Sequence, residues 1–382
     1  NTATGVLTIS GSGEMKDYPN AHSIPYSFLK DYIKSVTIEN GVTGIGDFVF
    51  CGCDRLTAVT IPASVGSIGN HSFSGCTALT GFTVPDSVAT IGSHAFSSCW
   101  KITTLTIGNG VTSIGKGAFE GLSKLTILYW NAPNVSNFVE NSDVFGCAGY
   151  LDAGITVTFG ENVTAVPAYA FSGSNHNSPK IIAVNLGSNI VTIGDYAFYR
   201  LWTLPSITIP FATNAIGSHA FCKCCNTFFI RGYTFSYAEA YADENEIPFS
   251  SLGYKYFDIV YYDGEDTLSL TPAQYAYGIG EDALPTPEKT GHTFDGWYGN
   301  EDLTGNTVTA IGTTQTGSVK LYSKWTLLTY DITVNAGAHG SISPSSATVD
   351  YGNDQTFAIT PDEGYDIKDV LVDGVSVGAV SS

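Results

Sequence analysis

The stretch Val65-Gly-Ser-Ile68-Gly69-Asn-His71-Ser-Phe73-Ser-Gly75-Cys76-Thr-Ala-Leu79-Thr-Gly-Phe82-Thr-Val84-Pro85 decides the fold because it comes back. It returns as Val88-Ala-Thr-Ile91-Gly92-Ser-His94-Ala-Phe96 and again as Val111-Thr-Ser-Ile114-Gly115-Lys-Gly-Ala-Phe119, at a step of 23 residues. With the phenylalanine as a ruler, Phe50, Phe73, Phe96, Phe119, Phe145, Phe171, Phe198 and Phe221 mark eight units spaced by 23, 23, 23, 26, 26, 27 and 23 residues. A unit this short cannot bury its own apolar face. Self-similarity at such a period is the signature of stacked repeats sharing one continuous core.

Each unit carries a short alternating segment, such as Val59-Thr-Ile61, Phe82-Thr-Val84, Leu105-Thr-Ile107, Val157-Thr-Phe159, Val184-Asn-Leu186 and Ile207-Thr-Ile209. Period 2 turns the apolar residues inward and threonine outward. Strands repeated in the same sense predict a parallel sheet on one face of a curved solenoid. At about 4.8 Å per strand, eight of them give a face on the order of 35 to 40 Å long. The register weakens at residues 131–150, an insertion around Val144-Phe145-Gly146, and at Val166-Pro167, where the usual glycine is missing.

At 382 residues the chain exceeds one ordinary core, so two or three units are expected. Twenty-two tyrosines, 21 phenylalanines, 42 glycines and a single methionine describe a folded, turn-rich chain. The formal charge is -19, and acidic against basic residues number 17 and 11 over 1–249, 10 and 4 over 250–327, and 8 and 1 over 328–382. Such a field repels phosphate backbones and anionic lipid, so no nucleic-acid partner is expected. No apolar run is long enough to span a bilayer, and no membrane insertion is expected within this fragment. The chain opens at Asn1 without an initiator methionine or an apolar signal segment and reads as a trimmed or mature piece.

Residues 1–250 resemble the BspA-like leucine-rich repeats of bacterial surface proteins, on the strength of Ile-Gly-x-x-Ala-Phe at Ile91 to Phe96, Ile114 to Phe119 and Ile193 to Phe198. Gly5 to Tyr18 looks like the family's opening cap and Tyr237 to Phe249 like its closing one. Caps are needed because the last apolar layers of a solenoid otherwise face water.

Residues 251–327 resemble the InlB B-repeat (Listeria-Bacteroides repeat) family through Pro285-Thr-Pro287 and Gly291-His-Thr-Phe294-Asp-Gly296-Trp297-Tyr298, followed by Val319-Lys-Leu-Tyr322-Ser-Lys-Trp325. The resemblance implies a β-grasp-like domain that spaces or presents a neighbour. Alternating strands at 257–262 and 319–325 supply two hydrophobic faces, and Trp297 is placed to fill the core between them. Residues 328–382 are similar to the divergent form of that repeat and stop at Val380-Ser-Ser382, about where another strand is expected, so the native chain is expected to continue. The expected fold class is a leucine-rich-repeat solenoid followed by two small β-rich domains, the first β-grasp-like.

Eight cysteines, with Cys-x-Cys at Cys51/Cys53 and Cys222/Cys224, raise the question of a metal. Cys53, Cys76, Cys99 and Cys224 all stand three residues after their unit's phenylalanine, where Leu122 and Leu201 stand elsewhere. The slot takes a small hydrophobe, and parallel side chains cannot readily reach disulfide geometry. Reduced, unligated thiols are expected. His71, His94 and His219 stand two residues before the phenylalanine. Two ligands without a carboxylate or thiolate make a weak metal site, so packing on a turn is preferred. Asp263-Gly-Glu-Asp266 is read as a hairpin turn rather than a calcium loop. No nucleophile elbow, His-Glu-x-x-His or phosphate loop occurs, and neither an enzyme nor a cofactor is expected.

The outward positions of the strands run Ala58/Thr60, Gly81/Thr83, Thr104/Thr106, Ile127/Tyr129, Thr156/Thr158, Ala183/Asn185 and Ser206/Thr208. Ile127 and Tyr129 alone put an aliphatic and an aromatic side chain in the middle of that row, while Trp130 is in register to point inward. Two readings stand: a binding anchor, or packing under the insertion. Trp100 and Trp202 share one slot, four residues after Phe96 and Phe198, on the loop after the turn, with contact or loop packing as the alternatives. The candidate ligand-binding residues are therefore Ile127, Tyr129, Thr104, Thr106, Thr156, Thr158, Trp100 and Trp202. The resemblance implies an extracellular, non-enzymatic adhesion or ligand-binding protein of the bacterial cell surface, with a host or neighbouring-cell protein or glycan as partner. A structural stalk displaying other domains and a glycan-binding accessory module remain alternatives.

Overall fold

The computed structural model describes residues 4–174 and 177–380. The terminal residues Asn1 and Ser382 named above lie outside the described residues. By compactness the chain separates into residues 1–254 and 255–382.

In the first unit every paired strand runs parallel to its neighbour. The longer strands form three runs. Val6–Ile9, Ser35–Ile38 and Ala58–Thr60 make the first, and Gly81–Thr83, Thr104–Ile107, Ile127–Trp130, Ile155–Phe159 and Ile181–Asn185 the second. Ser206–Thr208, Phe229–Gly232 and Phe249–Ser251 make the third. All eight strands expected from the repeat are present and parallel, divided among these three runs.

A second set of parallel strands, only two residues long in most units, stacks around the Ile-Gly signature. It runs from Gly13–Glu14 through Val42–Ile45, Ser67–Ile68 and Thr90–Ile91 to Ser113–Ile114, and resumes at Ala165–Val166, Thr192–Ile193 and Ala215–Ile216. Here the signature glycine is a matter of close approach. A Cβ on Gly92 would lie 2.5 Å from the Asn70 nitrogen and 2.6 Å from the Gly69 carbonyl carbon, and one on Gly115 would meet Ser93 at 2.4 Å. Backbone stands where a side chain would go.

The exception explains itself. The unit before Ala165–Val166 has no short strand among its described residues, because the insertion occupies that place: Phe138 donates to the Ala168 carbonyl at 3.0 Å and the Asn137 side chain accepts from the Ala168 amide at 2.9 Å. This unit carries Pro167 where the others carry glycine.

The phenylalanines form the core's spine. Consecutive rings from Phe50 to Phe221 stack with centroids 5.1 to 5.6 Å apart, all buried. Trp130 is fully buried beside Phe145 and Phe171 and donates its indole N–H to the Ala132 carbonyl, which satisfies the one polar group it takes inside. The helix Tyr237–Glu244 closes the far end, burying Ala238, Tyr241 and Ala242 against the last layer.

All eight cysteines are free. Cys53, Cys76 and Cys99 are buried, and the thiols of Cys76 and Cys99 reach carbonyls of the unit before, Phe50 and Phe73. Cys224 is only half-buried, a departure from its expected burial that fits its place in the last unit, where the cap helix covers it in part. Burial pushes the Cys53 and Cys224 thiols up to about 12.

In the second unit, Tyr256–Asp263 pairs in parallel with Val319–Leu327, which in turn pairs antiparallel with His292–Tyr298. Ile259, Tyr261, Tyr275, Trp297, Ile311 and Leu321 form the core. Trp297 is buried as expected and its indole N–H is held by the Pro285 carbonyl at 2.7 Å. The Asp263-Gly-Glu-Asp266 segment is a hairpin, with Asp263 opposite Asp266. Partial burial opposes ionisation of Asp263, but the Lys289 ammonium at 2.8 Å outweighs it and holds the carboxyl below its ordinary value. Residues 328–380 form three two-stranded ladders with no fully buried residue among those described, and leave Leu371, Val372, Val375 and Val377 in solvent.

Candidate functional site

The strand Ile127–Trp130 sits at the centre of its five-stranded run. Ile127 lies opposite Thr104 on one side and Thr156 on the other, and Tyr129 opposite Thr106 and Thr158. Leu128 and Trp130 turn into the core, so alternation leaves Ile127 and Tyr129 outward, 37% and 42% exposed. The four threonines are half-buried and shorter, so the aliphatic and aromatic side chains stand above them. Two strands further along, the face ends in Asn185, whose amide donates to the Thr158 hydroxyl at 3.2 Å. On the other side Gly81, opposite Thr104, leaves it bare.

The insertion does not cover these two residues. Its Phe138, Val144 and Phe145 are buried, whereas Val139, Tyr150 and Leu151 remain in solvent. The structure brings Ile127, Tyr129 and the four threonines onto one surface.

Trp100 and Trp202 belong elsewhere. They stand on the loops between a unit's phenylalanine and its long strand, 37% and 54% exposed. The Lys101 and Lys124 ammoniums lie 5.1 and 5.8 Å from the Trp100 ring centre.

A further aromatic row was not recognised as such in the sequence. Phe48, His71 and His94 stack ring on ring at 4.7 and 5.0 Å, and Tyr169, Tyr196 and His219 at 4.9 and 5.0 Å, each residue in the left-handed region two places before the phenylalanine. The repeat slot was visible; that the rings face one another follows from the stacking distance. The histidines serve here as flat rings, with His94 Nδ1 3.5 Å from Glu120. Burial together with the neighbouring His94 holds the His71 pKa below its ordinary value. Among the described residues no group of three or more metal-binding side chains comes together, and no helix is long and apolar enough to cross a membrane.

Comparison with known families matches residues 24–147 and 152–244 to the BspA type leucine rich repeat region in six copies, residues 257–324 to the Listeria-Bacteroides repeat domain and residues 330–380 to the divergent InlB B-repeat domain. Among solved structures, the chain is similar to a leucine-rich repeat protein from Eubacterium ventriosum, 25% identical over 60% of this chain and 68% of that one, with a TM-score of 0.32. It is also similar to a leucine rich cell surface protein from Faecalibacterium prausnitzii, 25% identical over 52% and 47% of the two chains, with a TM-score of 0.32. A protein of Evansella cellulosilytica is 35% identical over 101 residues, 26% of this chain, and the match spans 14% of that relative's length.

Proposed function

Since the chain belongs to the BspA type leucine rich repeat family over more than half of its length, we propose that it is a non-enzymatic adhesion or ligand-binding protein of the bacterial cell surface. In this reading the solenoid binds a host or neighbouring-cell protein or glycan outside the cell, and the C-terminal modules hold it away from its anchor. Leucine-rich repeats generally mediate protein interaction, and the repeat types that follow are typical of surface proteins.

The observation that carries the reading is the exposed pair Ile127 and Tyr129 at the middle of a sheet face that is otherwise small and threonine-like. Interface energy concentrates in a few central aromatic and aliphatic anchors ringed by weaker contacts. Tyr129 and Ile127 are the anchors, and Thr104, Thr106, Thr156 and Thr158 are the ring. Trp100 and Trp202 stand on the loops, off this face, and are not needed for it. The strand that carries the pair is hydrogen-bonded to a neighbour on each side, so the two side chains are held in place before any partner arrives.

The test is to screen the full chain against extracellular-matrix proteins and glycans, and then to measure Tyr129→Ala combined with Ile127→Thr against whatever binds. The expected loss is at least about 2 kcal/mol of affinity with an unchanged melting temperature. Affinity equal to that of the native chain removes the site from this face.

A further inference from the structure

The basic residues of the solenoid are not scattered. Between residues 51 and 231 there are eight acidic and eight basic residues, and six of the basic ones (Arg55, Lys101, Lys124, Lys180, Arg200 and Lys223) stand on the loops that lead from a unit's phenylalanine into its long strand. Three of the eight acidic residues share those loops, and one of them, Glu120, is engaged with His94 and the Asn177 amide. In a chain of net charge -19, this edge is a local positive pole.

The loops stack as the strands do. Gly52 donates to Ser74, Gly75 to Ser97, Ser98 to Glu120, Gly121 to Gly146 and Arg200 to Cys222, at 2.7 to 3.0 Å, so equivalent residues of successive units form rows along the edge. Two points on the edge combine cations with aromatic rings. At the first, Trp100 is flanked by Lys101 and Lys124. At the second, the Arg200 guanidinium and Lys223 ammonium lie 5.0 and 5.7 Å from the half-buried Tyr199 ring, and the exposed Trp202 follows two residues after Arg200, its amide donating to the Arg200 carbonyl.

None of these four cations pairs with a carboxylate; the ion pairs among the described residues are His94 with Glu120 and Lys289 with Asp263. Arg200 and Lys223 also occupy an unfavourable backbone position. Their φ values are +63° and +61°, in a slot that Gly52, Gly75 and Gly121 fill at +72° to +74° and the short side chains of Ser98 and Cys147 at +60° and +54°. Long side chains in the left-handed region are disfavoured, and such outliers concentrate where a side chain is wanted for recognition. Two adjacent units keep a cation there in place of glycine.

We propose that this loop edge binds an acidic polysaccharide, a linear glycan bearing carboxylates or sulfates, that runs across both clusters. The clusters are four units apart, and with 5.3 to 5.6 Å between successive phenylalanine rings the span is about 22 Å. Exposed indoles offer a flat apolar surface to the face of a sugar ring, and the unneutralised ammonium and guanidinium groups beside them take the sugar's anionic substituents. An acidic peptide would use the cations and leave the indoles without a matching partner, which favours the glycan. The surface is separate from the sheet face of Ile127 and Tyr129, and the two assignments stand or fall independently.

Heparin is the probe, titrated into the full chain at low and high salt, with poly-L-glutamate and duplex DNA as other polyanions and dextran as the uncharged control. Saturable heparin binding that weakens with salt is expected, with none to dextran. Arg200→Gly combined with Lys223→Gly restores the residue other units use, so the melting temperature holds or rises while heparin affinity drops by about tenfold or more. Trp100→Ala with Trp202→Ala is expected to weaken heparin binding and leave poly-L-glutamate unaffected. Tyr129→Ala with Ile127→Thr should bind heparin like the native chain. The proposal is overturned if heparin does not bind at low salt, if the double glycine variant binds it undiminished, or if poly-L-glutamate or DNA binds as tightly. Loss of heparin binding in the sheet-face variant alone would move the site to that face.

Discussion

Gly92→Ala adds one methyl group where the short strands stack, and the structure sets what it meets. The new Cβ would lie 2.5 Å from the Asn70 nitrogen, 2.6 Å from the Gly69 carbonyl carbon and 2.9 Å from the Asn70 Cα. Favourable contacts begin near 3.5 Å, so relief needs a shift of about 1 Å. The obstacle is backbone on both counts, and it is pinned. Gly92 donates to the Ile68 carbonyl at 2.7 Å, and the Asn70 side chain accepts from the Ser93 amide at 2.7 Å. Overpacking of this kind costs about 1–3 kcal/mol, and a rigid neighbour puts Gly92→Ala at the upper end, about 2–3 kcal/mol. The comparison is Gly66→Ala in the preceding unit, where a Cβ meets nothing nearer than 3.8 Å and the backbone has ordinary φ. There the expected change is between zero and about 1 kcal/mol of stabilisation, from a less flexible unfolded chain. Urea denaturation of both variants, followed by circular dichroism with the slope held as a check on cooperativity, reads the difference. If the two variants agree within about 0.5 kcal/mol, close backbone approach is not the reason the signature carries glycine.

Three further outcomes follow from the core and its columns. Phe96→Ala empties a fully buried ring site between Phe73 and Phe119, 5.2 and 5.6 Å away, and is expected to cost about 3–5 kcal/mol in the same denaturation assay. Cys53, Cys76 and Cys99 should resist a thiol reagent in the native protein and react on denaturation; a disulfide among them in the folded state would contradict the stacked register. His71, whose pKa burial and His94 hold below the ordinary 6.5, binds a proton less readily folded than unfolded, so its contribution is full above that value and is lost as pH falls through it. The drop in melting temperature between about pH 8 and about pH 5 should shrink in His71→Phe, which copies Phe48 one unit earlier.

Much of the solenoid was legible because its code is one-dimensional. The phenylalanine ruler marks a column that is continuous in space, and the alternation at Ile127 to Trp130 separates two exposed side chains from two buried ones as period 2 requires. Pro167 was visible as a departure, but its neighbour was not: the insertion brings Asn137 to the Ala168 amide, a contact between residues 31 positions apart. The short-strand sheet escaped for a related reason. Two-residue strands carry no alternation to read, and only their backbone hydrogen bonds reveal them.

At the candidate site, residue identity and exposure could be read from the repeat, whereas the cationic loop edge could not. Arg200 and Lys223 look like ordinary surface charges until their left-handed backbone and shared tyrosine are seen together. The divergent repeat reads as alternating strands from 330 onward, yet its ladders close over no core among the described residues, because alternation specifies a face and not the layer that covers it.

Binding of the two compact units, residues 1–254 and residues 255–382, to one panel of extracellular-matrix proteins and glycans bears most directly on the proposal that the solenoid binds and the following modules space it. The expected result is that every specific ligand of the full chain is retained by 1–254 and by none of 255–382, with the solenoid fragment melting cooperatively on its own. A ligand captured by 255–382 with an affinity equal to that of the full chain, and not by a folded 1–254, would contradict it.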